Sequence, residues 1–364
     1  MMSTKKTKIG ILTFHWATNY GAVLQAYALS NVLLNLGYEV KIINYKPSKF
    51  DFSVYKFFRS REFFRLKSFI FQFRKENELG RFRSNNLDLT DRYFSLKQLV
   101  ENPPEFDFYI SGSDQIFNPS FVRAGDKYPA ITYFLPFVSS TKKRISYAVS
   151  FGCTVYPADL KKVIKMPLSK FDFISCREET GVDICNELGC KANLVPDPTL
   201  LLSKNDYIHL LDHTIHSNES REHVPYLYSY ILHGRKRINS FLNKKFCDDF
   251  KVHFYSSSVL SLEEWISTVY FSKYVVTNSF HGLMLALIFN KPFAVVLEKI
   301  ENSQMNDRFF TILKKLGLLD RIISEKNITS LKDVIMLPID WAVVNDKISD
   351  YRKEGFNFLT SSLK

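Results

Sequence analysis

Short apolar runs alternate along the chain with longer segments whose apolar residues recur at helical spacing, and polar loops separate the two. In the first half, the pattern predicts strands at residues 9–14, 39–44, 106–110, 144–149, 171–175 and 192–195. It predicts one helix at 22–36 and another that follows the strand at 171–175 and ends at residue 188. In the second half, it predicts strands at 226–232, 252–255, 274–277 and 293–297, and helices at 236–246, 262–271, 307–316 and 341–359. Such alternation is typical of parallel sheets with right-handed crossovers.

The strand–helix alternation occurs twice, on either side of a polar stretch at residues 203–223. A chain of 364 residues is also longer than one typical domain. We therefore predict an α/β fold of two Rossmann-like domains facing a cleft, with residues 1–205 as the N-terminal domain and 206–338 as the C-terminal domain. Residues 339–364 form a terminal helix that is expected to pack back on the first domain.

Polar motifs follow the predicted strands, at the points where the strands end. They are residues 111–115, 150–152, 176–179, 197–199 and 278–281. Ligands of open parallel sheets bind beyond the carboxyl ends of the strands, so these motifs mark candidate binding residues.

The segment after the strand at 274–277 carries the most specific of these signals. Ser279 can cap the helix that follows, which places His281 in its first turn. Free backbone amides and the positive end of the helix dipole favour an anion there, and histidine can also transfer a proton. The alternative is a capped helix with a structural, hydrogen-bonded histidine.

Charge adds a second indication of an anionic partner. The chain has 49 Lys and Arg against 37 Asp and Glu, a formal net charge of +12. Nucleic acid, an acidic membrane surface and a charged small substrate all fit such a balance. Part of the excess lies in an insert at about residues 50–95, where basic residues alternate with Phe between 55 and 83.

Two interpretations of this insert remain open. In one, it forms helices whose basic and aromatic faces approach an anionic membrane. In the other, the Phe side chains cover the core of the first domain and the charges are solvated. No nucleic-acid-binding module is recognisable, so no nucleic-acid partner is expected.

The five cysteines, at positions 153, 176, 185, 190 and 247, form no Cys-x-x-Cys pair. A reduced compartment without structural metal is therefore expected. The start of the chain shows no signal-peptide pattern, and no apolar run reaches the length of a membrane span. We predict a cytoplasmic protein, with any peripheral contact at the inner face of the membrane.

Taken in order and spacing, the polar motifs form a set with known counterparts. They read Asn19-Tyr20-Gly21-Ala22-Val23-Leu24-Gln25, Gly112-Ser113-Asp114-Gln115, Ser150-Phe151-Gly152, Arg177-Glu178, Asp197-Pro198-Thr199-Leu200-Leu201, Thr277-Asn278-Ser279-Phe280-His281-Gly282 and Asn306-Asp307-Arg308 before Leu316-Gly317-Leu318. Over most of the chain, this set resembles the polysaccharide pyruvyl transferase family. One departure is Phe117, which stands where the family often has Trp, with Asn118 retained.

The resemblance implies a GT-B-type fold and a defined chemistry. Characterised members move pyruvate from phosphoenolpyruvate to two hydroxyls of a sugar, forming a cyclic ketal. Phosphoenolpyruvate would thus be a co-substrate, no other cofactor is expected, and the acceptor would be a sugar of a cell-surface polysaccharide, including a lipid-linked oligosaccharide.

Site roles follow from the resemblance and from the chemistry of the residues. The donor would be bound by Arg177, Ser279, His281 and Arg308. His281 would act as the acid or stabilise the departing phosphate, and Asp114 would act as the base or bind sugar hydroxyls with Gln115. The acceptor would be bound by Asn19, Tyr20, Gly21, Ser113, Asp114, Gln115 and Asn118. Plainer roles remain open for some: a salt bridge for Arg177, a surface position for Arg308, a turn for Asp114 and helix capping for Asn19.

Two other classes of function share parts of this pattern. A GT-B glycosyltransferase that uses a nucleotide sugar would have the same architecture, and binding of uridine or guanosine diphosphates would favour it. A non-catalytic protein that binds anions or a membrane is the other alternative, and the basic insert is the feature that suggests it.

Overall fold

The computed structural model describes residues 6–51, 66–123, 129–211, 225–246, 250–255, 259–297 and 306–364. The chain divides into two compact units, one made of Met1–Leu201 with Glu354–Lys364 and the other of Leu202–Lys353. Residues 339–353, which the sequence assigns to the returning helix, thus group with the second unit. Part of the insert (52–65) and part of the polar stretch (212–224) lie outside the described residues.

The first unit is built from alternating strands and helices. Its strands are β1 (Lys8–Leu12), β2 (Glu39–Ile42), β3 (Phe108–Ser111), β4 (Lys143–Ser146), β5 (Ser175–Cys176) and β6 (Asn193–Leu194). Its helices are α1 (Tyr20–Asn35), α2 (Leu66–Asn86), α3 (Leu96–Glu101), α4 (Pro119–Arg123), α5 (Ala158–Leu168), α6 (Glu179–Glu187) and α7 (Pro198–Leu201). Two 3₁₀ segments, Ser48–Phe50 and Pro129–Phe134, lie between them.

The first sheet is parallel, with strand order β2-β1-β3-β4. Single bridges from Ile145 to Phe173 and from Val149 to Cys176 continue it toward the β5–β6 pair. β1 pairs with β2 on one side and with β3 on the other, so the sheet has its topological switch point between β1 and β3. Ligands of such sheets bind at this point, beyond the carboxyl ends of the strands.

The second unit repeats this plan. It contains α8 (Lys204–Leu210), β7 (Tyr226–Tyr230), α9 (Arg235–Phe246), β8 (Lys251–Phe254), α10 (Leu262–Phe271), β9 (Tyr274–Thr277), α11 (Phe280–Ile288), β10 (Phe293–Leu297), α12 (Asp307–Leu316), β11 (Ile322–Ser324), α13 (Leu331–Met336) and the start of α14 (Trp341–Ser362). Two 3₁₀ segments, Leu319–Arg321 and Glu325–Ser330, flank β11. The strand order is β8-β7-β9-β10-β11, all parallel, and the switch point lies between β7 and β9.

The end of α14 returns to the first unit. Phe358 and Leu359 are buried there, and the Phe358 ring lies 6.1 Å from that of Tyr147. Gly355 lies so close to Tyr147 and Leu201 that an added Cβ would be 2.7 Å from the Tyr147 hydroxyl. The close approach fixes the helix against Tyr147, which directly follows β4.

The predicted α/β class with parallel sheets is confirmed. The pattern placed α10, β9, β10 and α12 at their observed bounds, whereas the strand predicted at residues 171–175 is formed only at Ser175–Cys176. Among the described residues, no helix has the length and apolar character that crossing a bilayer requires.

Candidate functional site

The loops after β1 and β3 are joined by buried hydrogen bonds at the switch point of the first sheet. Thr13 Oγ1 donates to Ser113 O at 2.8 Å, and the Gln25 side chain donates to Thr13 Oγ1 at 2.9 Å. Gly112 makes this approach possible, because a Cβ there would lie 2.9 Å from the Thr13 Cβ. The bonds fix the position of the loop that continues to Asp114.

Arg177 occupies the centre of this network, and its side chain is completely buried. Its Nη1 donates to Asp197 Oδ2 at 2.7 Å, and Nη2 lies 3.4 Å from Asp114 Oδ1. Burial alone lowers the pKa of Arg177, but the carboxylates of Asp197, Asp114 and Glu178 outweigh burial and raise it. Arg177 therefore holds Asp114 and Asp197 in place, which is the salt-bridge role left open above, and its donor-binding role stays a prediction.

Asp114 is the partly exposed member of the network, with 17% of its side chain accessible. Its φ of 82° lies in the left-handed region, which few residues other than Gly, Asn and Asp adopt. Its Oδ1 accepts a hydrogen bond from Gln115 N at 2.9 Å, so the turn predicted for Asp114 is present. A strained, charged residue at the end of a strand is a common feature of functional sites.

Gln115 is held by a second set of contacts. Asn118 donates to Gln115 Oε1 at 2.8 Å and accepts from Ser120 N at 2.8 Å. In the adjoining loop after β4, Phe151 N donates a hydrogen bond to the Glu178 carboxylate at 2.7 Å. Ser113 (0% exposed) and Asn118 (5%) are buried, so they support the partly exposed Asp114 and Gln115, which with the exposed Asn19 are hereafter the rim. This burial corrects the assignment of Ser113 and Asn118 to acceptor contact.

The start of α1 differs in part from the expected acceptor surface. Asn19 is exposed and caps the helix, accepting from Gly21 N at 2.9 Å and from Ala22 N at 3.3 Å. Tyr20 is 0% exposed, with Lys75 Nζ 4.2 Å from its ring centroid. Its predicted role as a stacking platform for a sugar is therefore wrong.

Phe117 is likewise a core residue. Its ring is 0% exposed and stacks on Phe134 at a centroid distance of 4.0 Å. The departure from the family pattern at this position therefore changes core packing and leaves the rim unchanged.

In the second unit, the carboxyl end of β9 leads directly into α11. Ser279 caps the helix, as predicted, by accepting from Gly282 N at 3.4 Å. Thr277 Oγ1 accepts from Ser279 N at 2.9 Å and donates to Tyr230 O at 2.7 Å. His281 therefore lies in the first turn of α11, where it keeps 6% exposure.

Arg308 contacts aromatic rings at the N-terminal end of α11. Its guanidinium carbon is 5.5 Å from the ring centroids of both Phe280 and Phe309, and those rings are 5.9 Å apart. Phe280 immediately precedes His281. Arg308 therefore lies beside the residue that precedes His281, and the donor-binding role of Ser279, His281 and Arg308 stays a prediction.

The loop after β7 leads to Arg235, a candidate site residue that the sequence analysis did not identify. Asn278 accepts from Leu232 N at 2.7 Å and donates to His233 O at 2.9 Å, which joins this loop to the start of α11. Arg235 then begins α9 and is exposed at the same switch point. Its signal was available, since a basic residue follows Gly234 just after a predicted strand.

Both clusters belong to sheets of a fold seen in sugar-nucleotide enzymes. UDP-GlcNAc 2-epimerase from Neisseria meningitidis, solved with UDP-GlcNAc, superposes with a TM-score of 0.54 at 9% identity, covering 98% of this chain and 100% of that chain. S. aureus MnaA, solved with UDP, gives a TM-score of 0.54 at 11% identity, covering 99% and 97%. These similarities show that the fold is of the GT-B type.

Within that fold class, the family model for polysaccharide pyruvyl transferase matches residues 19–299. The match spans well over half of the chain, so the protein belongs to the polysaccharide pyruvyl transferase family. The resemblance inferred from the motifs is thereby confirmed. No curated protein sequence is significantly similar to the chain.

Proposed function

We propose that the protein transfers a pyruvyl group from phosphoenolpyruvate to two hydroxyls of a polysaccharide sugar, forming a cyclic ketal and releasing phosphate. Family membership supports a transferase that acts on a sugar acceptor. The observation that carries the finer proposal is the cluster of Ser279, His281 and Arg308 at the start of α11.

The donor half of the proposal rests on charge and donors. Phosphoenolpyruvate carries a phosphate and a carboxylate, which match a guanidinium and the positive end of a helix dipole. Arg308 supplies the first, and α11 supplies the second beside His281. Arg235, exposed at the same switch point, is a further cation for the second anionic group.

The acceptor half rests on the rim of the first unit. Asp114 and Gln115 are partly exposed and Asn19 is exposed, so all three present polar groups to solvent. Arg177 holds the Asp114 carboxylate in one orientation. In the proposal, Asp114 accepts the proton of the attacking hydroxyl, and the neutral amides bind neighbouring hydroxyls.

The reaction balances with these groups alone. His281 protonates the methylene carbon of phosphoenolpyruvate, which leaves an electrophilic centre at the carbon bearing carboxylate and phosphate. A first sugar hydroxyl attacks that carbon, the phosphate leaves, and a second hydroxyl closes the ring. Of the two hydroxyl protons lost, one replaces the proton now in the methyl group and the other leaves with phosphate.

A peripheral membrane contact is the second part of the proposal. The later half of α2 buries Leu79 and Phe82 in the first unit, whereas Ile70 and Phe73 in its earlier half are each 41% exposed. The two exposed residues are spaced to share one face of the helix, and the exposed Arg74 adjoins them. That surface suits the interface of an anionic membrane that carries a lipid-linked acceptor.

The test is phosphate release from phosphoenolpyruvate by the full chain, with lipid-linked and nucleotide-linked sugars as acceptors. His281→Ala should lower turnover by roughly 10²–10⁴-fold, as the loss of a general acid does. Arg308→Ala should weaken phosphoenolpyruvate binding measured by calorimetry, and Asp114→Asn should reduce turnover while sparing that binding.

Arg81→Ala serves as the matched control, because this exposed arginine of α2 pairs with Glu78. Near-full phosphate release by His281→Ala would refute the assignment of the acid. Tight binding of uridine or guanosine diphosphate, without phosphate release from phosphoenolpyruvate, would favour a nucleotide-sugar glycosyltransferase.

A further inference from the structure

Four aromatic side chains form a continuous patch beside the first switch point: Phe14, Trp16, Phe50 and Phe121, hereafter the aromatic patch. Trp16 stacks on Phe50 with a centroid distance of 4.8 Å and an interplanar angle of 28°. Phe14 meets Trp16 edge-on at 5.8 Å and Phe121 edge-on at 5.1 Å. The rings are thus fixed against each other in the arrangements that aromatic pairs prefer.

The aromatic patch is accessible to solvent. Phe50 and Phe121 are each 41% exposed, and Phe14 and Trp16 are partly exposed. A contiguous exposed aromatic surface beside polar groups is typical of a ligand-binding site. None of these residues takes part in the donor chemistry described above.

The aromatic patch adjoins Asp114. β1 and β3 are neighbours whose last residues, Leu12 and Ser111, pair directly, so the loops that carry Trp16 and Asp114 leave the same edge. Trp16 Nε1 donates to the Tyr133 hydroxyl at 3.3 Å. Tyr133 is buried and its pKa is raised, first by burial and also by the charge of nearby Asp114.

The loop that carries Trp16 is anchored in one conformation. Thr18 Oγ1 donates to Glu76 of α2 at 2.6 Å, and Glu76 also lies 3.7 Å from Lys46 Nζ. The same ammonium group lies 5.9 Å from the Trp16 ring centroid. An anchored platform costs less entropy on binding than a mobile one, because its side chains are already ordered.

We propose that the aromatic patch stacks on the pyranose ring of the acceptor, with Asp114 and Gln115 holding the hydroxyls at its edge. A pyranose has a face of C–H groups and a rim of hydroxyls, and the patch with its carboxylate and amide border complements both. This subsite rests on the proposed function and takes the stacking role once expected of Tyr20. It places ring recognition on the side chains that follow β1.

Sugar binding is measured without donor, so that it does not depend on pyruvyl transfer. The probes are methyl α- and β-pyranosides of glucose, galactose, mannose, N-acetylglucosamine and N-acetylmannosamine, with saturation-transfer NMR on the full chain. For wild type, we expect signal concentrated on the C–H protons of one ring face. Trp16→Ala should weaken binding about tenfold, the upper range of an aromatic contact.

Two further variants separate stacking from folding. Trp16→Phe keeps a six-membered aromatic ring and loses the five-membered ring with its N–H, so it should keep much of the binding. Phe94→Ala removes an exposed ring outside the aromatic patch, 42% accessible and packed on Arg92, and should bind like wild type. Circular dichroism checks that each variant is folded.

The outcomes are distinct. Loss of binding in folded Trp16→Ala with retention in Trp16→Phe supports the subsite, even if phosphoenolpyruvate is not the donor. Equal binding by wild type and Trp16→Ala, or no binding of any pyranoside by wild type, overturns it. Binding of a hydrophobic peptide in place of sugars at the aromatic patch also overturns it.

Discussion

At the scale of single residues, the support of Asp114 depends on contacts between distant parts of the chain. The motif positions of Asp114 and Arg177 were recognisable, but their contact joins residues 63 positions apart. No periodic pattern encodes such a pairing, so the sequence could not show that Arg177 supports Asp114. The burial of Tyr20 was missed for the same reason, since its ring lies beside Lys75 of the distant helix α2.

His15 provides a prediction at this scale. It is 1% exposed, and its ring nitrogens lie 3.2 Å from Thr13 O and 3.1 Å from the Asn44 side chain. Burial lowers its pKa from 6.5 to about 4, although both hydrogen bonds act in the opposite direction. The neutral ring is therefore favoured by folding. The contribution of the neutral His15 ring to the free energy of unfolding is fully present above pH 6.5 and is lost as the pH falls toward 4.

We expect His15→Gln to reduce the decrease in unfolding free energy between pH 6.5 and 4 by on the order of 3 kcal/mol, since one pKa unit corresponds to about 1.4 kcal/mol. The measurement is urea unfolding between pH 4 and 7 for wild type and variant. The exposed His209, replaced by Gln, is the control. Parallel pH profiles for wild type and His15→Gln would contradict the assignment.

At the scale of elements, two helical glycines should respond oppositely to the same substitution. In α11, a Cβ on Gly282 would lie 2.7 Å from Thr277 Oγ1 and 2.9 Å from a ring carbon of Tyr230. Both neighbours are buried, so overpacking should exceed the gain in helix propensity. We expect Gly282→Ala to lower the free energy of unfolding by about 1–3 kcal/mol.

Gly80 in α2 is the matched control, because its Cβ would meet only the end of the Arg83 side chain, at 3.7 Å. Gly80→Ala should therefore stabilise the protein by roughly 0.5–1 kcal/mol, as expected for Ala in a helix. Denaturant unfolding measures both. Changes of the same sign in the two variants would show that local packing does not decide the effect at Gly282.

Predicted and observed elements agree best where the sequence signal for an element lies within the element itself. α10 and β9 are delimited by a cap and by apolar runs, so their bounds were predicted from the sequence. β5 is short, and Phe173 joins the sheet only through a bridge to Ile145. Its extent depends on a neighbouring strand that the local pattern does not contain.

At the scale of the whole molecule, the net charge of +12 bears on the membrane proposal. We expect the protein to float with anionic vesicles more than with neutral ones, and the difference to shrink in high salt as charges are screened. Phe73→Asp should reduce flotation, because it places a charge where α2 exposes an apolar ring.

Met166→Asp is the control for that substitution, since Met166 of α5 is 65% exposed and lies outside the insert. Equal recovery with neutral and anionic vesicles would remove the membrane contact from the proposal. The Phe side chains of α2 would then serve only to cover the first unit, as Leu79 and Phe82 already do.

The buried support beneath the acceptor rim also separates positions that can vary from positions that cannot. Arg177, Asp197 and Ser113 depend on one another, so single changes there leave a buried charge or polar group unsatisfied, at a cost of several kcal/mol. Gln115 and Asn19 lie above that frame. Under the proposed function, a library randomised at Gln115, and at Asn19 among residues that can cap α1, can be screened for new acceptors while the buried frame stays intact.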